Sequence, residues 1–191
     1  MFLRKQDGSW EPRRELKVTL PSGAEASFLM VRSFVTAADW NGDGVPDLLW
    51  RSPHEIRVAP GPIRYDGPIS LAHKLSLGSS LAHELSFIAD FAVADWDRDG
   101  KPDVLVRTGD LQESWEIAWH RNLGERGLTR IAEGKPLLRV RASGATDGFC
   151  VCDWNADGRP DLMVTRCESV PGTGERGNVE SRESVLVYVR R

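Results

Sequence analysis

The chain has no apolar run near the ~18–20 residues that cross a bilayer as a helix, which excludes a helical membrane span. It has no excess of basic residues: 25 Lys and Arg face 28 Asp and Glu, for a net charge of −3. That balance excludes a strongly basic nucleic-acid-binding domain. Cysteine is scarce, and Cys150, Cys152 and Cys167 are odd in number and irregularly spaced, so they form no disulfide framework. The first residues, Met1 to Asp7, hold no apolar core of a signal peptide, and no secretory leader is visible. There is no G-x-S-x-G, no H-E-x-x-H and no phosphate-cradling glycine loop, hence no familiar catalytic constellation.

Turn-forming residues are plentiful, with 18 Gly and 11 Pro in 191 residues. That composition favours many short strands, and the length suits one domain. Self-similarity then organises the chain. Residues 36–50, 92–106 and 150–164 align without gaps, and each contains D-W-[ND]-x-D-G-x-P-D. The loops begin at Asp39, Asp95 and Asp153, spaced by 56 and 58 residues. A period of that size fits one four-stranded propeller blade with generous loops.

Oxygen ligands at loop positions 1, 3, 5 and 9, with a backbone carbonyl at 7, suit a hard cation such as Ca²⁺. In the first loop these are Asp39, Asn41, Asp43, Asp47 and the carbonyl of Val45. In the second they are Asp95, Asp97, Asp99, Asp103 and the carbonyl of Lys101. In the third they are Asp153, Asn155, Asp157, Asp161 and the carbonyl of Arg159. Position 6 is always Gly, as a left-handed turn requires. Position 8 is always Pro, which fixes φ on entry to the next strand. An EF-hand would place a bidentate Glu at position 12 between helices; here position 12 is Trp50, Val106 and Val164, within short β-type runs. The loops therefore join strands.

The three loops resemble the FG-GAP or VCBS-type repeat of calcium-binding β-propellers, as in integrin α-subunit heads and some fungal lectins. The resemblance implies an all-β fold of propeller blades, up to three bound Ca²⁺, and a non-catalytic role in binding a carbohydrate or a protein. Two alternatives remain: a non-catalytic part or homologue of a calcium-dependent polysaccharide-degrading enzyme, and a purely structural segment of a large secreted protein. No nucleic-acid partner is expected.

As architecture, the reading gives a single domain over 1–191, with repeat units at about 1–51, 52–107 and 108–166. Residues 167–191 are read as an insertion loop and a final strand. Residues 166–184 are polar and Gly-rich, without periodicity, and are read as an insertion in the last hairpin. Three repeats fall short of the ~4–8 blades of a closed ring. A partial propeller or a fragment is expected, with self-association as a way to complete it.

Other residues are read by their place in the repeat. Trp40, Trp96 and Trp154 recur at loop position 2 and are read as blade-to-blade packing units. Cys150 and Cys152 align with small residues of the inner strands. Trp115, Trp119 and His120 occur in one blade only and are candidates for ligand contact, although Trp at period 2 is more often core. His73 and His83 fall in a near-duplicate that reads as a hairpin over Gly78, Ser79 and Ser80. Loop two, with four carboxylates against three plus Asn in the others, is expected to bind most tightly. Without Glu at position 12 the affinity is expected at ~10⁻⁴–10⁻³ M, which points to an extracellular or cell-surface setting. The loops hold ten of the 28 acids, and three bound Ca²⁺ would shift the chain from −3 to +3.

Overall fold

A computed structural model describes residues 2–4, 10–12, 18–19, 25–26, 35–52, 55–62, 73–75, 88–110, 114–124, 135–141, 148–171 and 179–190. All regular structure among them is β. Two small two-stranded sheets come first: β1 (Phe2–Arg4) with β2 (Trp10–Pro12), and β3 (Val18–Thr19) with β4 (Glu25–Ala26). Three larger antiparallel sheets follow. The first holds β5 (Val35–Ala38), β6 (Asp47–Ser52), β7 (Glu55–Ala59) and β8 (His73–Lys74) in that spatial order. The second holds β9 (Ile88–Ala94), β10 (Asp103–Asp110), β11 (Ser114–His120) and β12 (Lys135–Arg141). The third holds β13 (Gly148–Cys152), β14 (Asp161–Pro171) and β15 (Val179–Tyr188).

Each is an up-and-down meander of sequential neighbours, the form of a propeller blade. Each aspartate-rich loop joins the first and second strands of its sheet, because those strands pair with each other: Ala38 with Asp47, Ala94 with Asp103, Cys152 with Asp161. The sheets therefore span 35–74, 88–141 and 148–188, and each starts just ahead of its loop.

Sheets stack face on face. Period-2 alternation along β10 sends Val104 and Val106 to one side and Leu105 to the other, and all three are fully buried. Val104, Val106 and Phe91 join Trp40, Leu49, Ile56, Val58 and Leu75 of the first sheet in one core. Leu105, Trp96, Trp115 and Ile117 join Leu162 and Val164 of the third sheet in a second core. The middle sheet is thus covered on both faces, which explains the near-continuous apolar run Val104-Leu105-Val106. Asp90 on β9 adds a polar tie: it accepts the Phe91 N–H at 2.8 Å and the N–H of Phe149 in the next sheet, beside Arg51 and Arg107. Burial raises its pKa above the ordinary 3.8, while those donors and arginines pull the other way.

The polar stretch of 166–184 departs from expectation. Strands β14 and β15 run through most of it, pairing from Arg166 with Ser184 to Pro171 with Val179. Two arms that pair with each other need no hydrophobic alternation, so a polar sequence extends as a hairpin. Its tip, 172–178, lies outside the described residues, as does His83. Trp115 and His120 are buried, which favours the core reading over ligand contact for both, and Trp119 is half-buried.

Candidate metal-binding loops

The loops are built by their own aspartates. In the first, Asp39 accepts the N–H of Gly42 and of Gly44, each at 2.9 Å. Asn41 Oδ1 accepts the Asp43 N–H at 2.9 Å, and Asp43 Oδ1 accepts the Val45 N–H at 2.8 Å. The other loops repeat this. Asp95 accepts from Asp99 and Gly100 at 3.0 and 2.9 Å, and Asp99 accepts from Lys101 at 3.0 Å. Asp153 accepts from Asp157 and Gly158 at 3.0 and 2.8 Å, and Asp157 accepts from Arg159 at 2.8 Å. Such turns curl the chain around the side chains at positions 1, 3 and 5.

Two positions of each loop take left-handed backbone. At position 6, Gly44, Gly100 and Gly158 have φ of 82°, 85° and 78°. A Cβ there would meet nothing within 4 Å, so conformation and not space demands glycine. Position 4 shares the conformation, with Gly42 at 77°, Arg98 at 64° and Ala156 at 58°. The residue types at position 4 vary, and sequence reading passed it over.

Position 9 has a separate task. Asp47, Asp103 and Asp161 are fully buried beneath the loops. Asp47 accepts from the backbone N–H of Trp40 at 2.9 Å and Gly61 at 2.7 Å. Asp103 accepts from Trp96 N at 3.2 Å, Asn122 N at 2.8 Å and Trp119 Nε1 at 2.9 Å. Asp161 accepts from Trp154 N at 3.0 Å and Arg190 N at 2.8 Å. Each ties the start of its loop to the residue just past the third strand. Burial raises the Asp103 pKa above the ordinary value, and the neighbouring Asp97 adds to it; the N–H of Asn122 and the Trp119 indole oppose both.

The residues past the third strand also reach back to the preceding loop. Asn122 Nδ2 donates to Trp40 O at 3.0 Å and to Pro102 O at 3.1 Å. Its equivalent Arg190 donates from Nη1 to Trp96 O and lies 5.1 Å from the Trp96 ring centroid. These links between loops had no signal in the sequence, because the three equivalent residues are Gly61, Asn122 and Arg190.

Carboxylate oxygens of Asp95, Asp97 and Asp99 lie within 4.8 Å of one another. Three hard oxygen donors converging from positions 1, 3 and 5 fit a cation such as Ca²⁺. In loops one and three, position 3 is Asn, and its amide donates to position 5: Asn41 to Asp43 at 2.8 Å, Asn155 to Asp157 at 3.0 Å. That bond, followed by the Arg159 N–H, holds the Asp157 carboxyl below its ordinary range. In loop two the carboxylates meet a cation of the chain itself. Arg121 Nε lies 2.6 Å from Asp97, and its Nη2 lies 2.8 Å from Asp99. The hydrogen bond to Asp99 and the charge of Asp97 raise the Arg121 pKa.

No helix among the described residues is long and apolar enough to cross a membrane. No match was found among curated proteins or among solved structures. The model of the FG-GAP-like repeat family matches residues 95–164, from the first aspartate of loop two to the first residues of the strand after loop three. Loop one lies outside the match but carries the same Asp, Trp, Gly and Pro at positions 1, 2, 5, 6, 8 and 9. With that match on a stack of antiparallel meanders joined by aspartate loops, residues 95–164 are FG-GAP-like repeat sequence.

Proposed function

We propose that the chain is a calcium-stabilised, non-catalytic module of propeller-type blades that binds a carbohydrate or a protein. The supporting observation is the convergence of Asp95, Asp97 and Asp99 in a loop whose pattern recurs twice more. Bound calcium removes the repulsion between the clustered carboxylates and fixes each loop at the end of its sheet. The setting is extracellular or cell-surface, where calcium near millimolar fills sites of this type. A glycan array read with calcium and with EDTA tests the carbohydrate version; calcium-dependent hits support it, and an empty array argues for a protein partner.

Self-association has its own support. The face of the third sheet turned away from the second carries Val185, Val187 and Met163. Val185 is 58% exposed, whereas its equivalents Ile56 and Ile117 are fully buried under the next sheet. Trp154 is 60% exposed, whereas Trp40 and Trp96 are at 3% and 8%. The far face of the first sheet is covered at Trp50, 7% exposed, and Ala59, 0%, and is open only toward its edge at Val35, 49% exposed. The open face therefore meets the same face of a second copy about a two-fold axis. Light scattering across a concentration series is expected to show dimer, and Val185→Lys with Trp154→Ala to leave monomer. A parent chain monomeric throughout would refute the two-fold contact.

A further inference from the structure

We infer that Arg121 is a built-in counter-cation of loop two, held where a metal would take its ligands, and that it must withdraw before loop two binds calcium. This rests on the reading of the loops as calcium sites and specifies how one of them is controlled.

The comparison among the three loops carries it. Only loop two has a carboxylate, Asp97, at position 3; loops one and three have Asn41 and Asn155. In those loops the amide at position 3 donates to the carboxylate at position 5, so the pair attract. In loop two the corresponding pair, Asp97 and Asp99, are both acids. A third group must offset their charge, and it comes from outside the loop. Pairing of β10 with β11 sets Val104 opposite His120, which places the next residue, Arg121, beside the loop. Its guanidinium spans both acids, 2.6 Å from Asp97 and 2.8 Å from Asp99. The equivalent residues beside loops one and three are Pro60 and Val189, which carry no charge.

Two consequences distinguish loop two. At the ligand positions, four carboxylates less Arg121 leave loop two with the same −3 as the other loops, and Arg98 and Lys101 within the loop reduce its charge further, so its extra acid confers no advantage in affinity. Without metal, it is the loop in which two acids, Asp97 and Asp99, share a side-chain cation. Asp97 and Asp99 each engage Arg121, and calcium has to displace that guanidinium to reach their oxygens. The order of affinities expected from counting acids is thereby reversed, with loop two the weakest.

The test uses the full chain and two readouts. In EDTA, Arg121→Gln is expected to lower the melting temperature by about 2 °C. Adding Asp97→Asn, which gives loop two the Asn pattern of its neighbours, is expected to restore it. For metal, loops one and three are disabled by Asp43→Ala and Asp157→Ala, and calcium alone is titrated by calorimetry. On that background Arg121→Gln is expected to tighten the remaining site about ten-fold, the effect of removing one adjacent positive charge. An unchanged melt in EDTA together with an unchanged loop-two affinity would overturn the inference. If no variant, the parent included, takes up calcium, the calcium reading fails; the EDTA melts then decide the role of Arg121 by themselves.

Discussion

Trp40→Ala is expected to cost about 3–5 kcal/mol of folding stability, the range for deleting a buried aromatic side chain. Trp40 is 3% exposed and packs among Leu49, Ile56 and Val58 of its own sheet and Phe91, Val104 and Val106 of the next. Its removal opens a cavity at the junction of two sheets, where neither can collapse without leaving the other. The same substitution at Trp154, 60% exposed, is expected to shift the stability of the monomer by no more than about 0.5 kcal/mol. Urea denaturation of both variants, well below any dimerising concentration, measures the contrast. Equal costs would show that the repeated tryptophan serves its own loop and not the junction between sheets.

The second large effect belongs to Asp103. Its buried carboxylate accepts from Trp96 N, Asn122 N and Trp119 Nε1. Asp103→Ala leaves three donors without their acceptor, at about 1–3 kcal/mol for each buried group left unsatisfied. A loss of about 3 kcal/mol or more is therefore expected in EDTA, with no metal present. Asp99→Ala, on the exposed rim of the same loop, is expected to change stability in EDTA by less than about 1 kcal/mol and to act only when calcium is added. Chemical denaturation of the two variants with and without calcium separates the roles. If Asp103→Ala were neutral in EDTA, position 9 would be a metal ligand and nothing more.

The loops and the strands beside them were legible because their chemistry repeats as residue identity. Asp at positions 1, 5 and 9, Gly at 6 and Pro at 8 each answer one local demand, and each recurs three times. The stacking role of Trp40 and Trp96 was legible for the same reason, whereas Trp154, read the same way, is 60% exposed and joins neither core. Position 4 was not, because Arg98 and Ala156 adopt the left-handed conformation that Gly42 takes without strain. Gly61, Asn122 and Arg190 were not, because each meets the buried aspartate through its backbone N–H, which any residue except proline supplies. Arg121 stands 22 positions beyond Asp99 and reaches it only through the pairing of β10 with β11. The hairpin arms of 166–184 were hidden by polarity, since backbone pairing of one arm with the other extends both strands without apolar alternation in the sequence.

Calcium binding by the loops is tested most directly by thermal melts of the chelator-stripped chain over a calcium series to about 10 mM, roughly ten times or more the expected dissociation constants. The melting temperature is expected to stay flat below the dissociation constants and to climb with the logarithm of calcium above them, with magnesium at the same concentrations giving far less. Each site filled at about 100 times its dissociation constant adds about 2.7 kcal/mol. A melting temperature that calcium leaves unchanged up to that concentration would contradict the assignment of these loops as calcium sites.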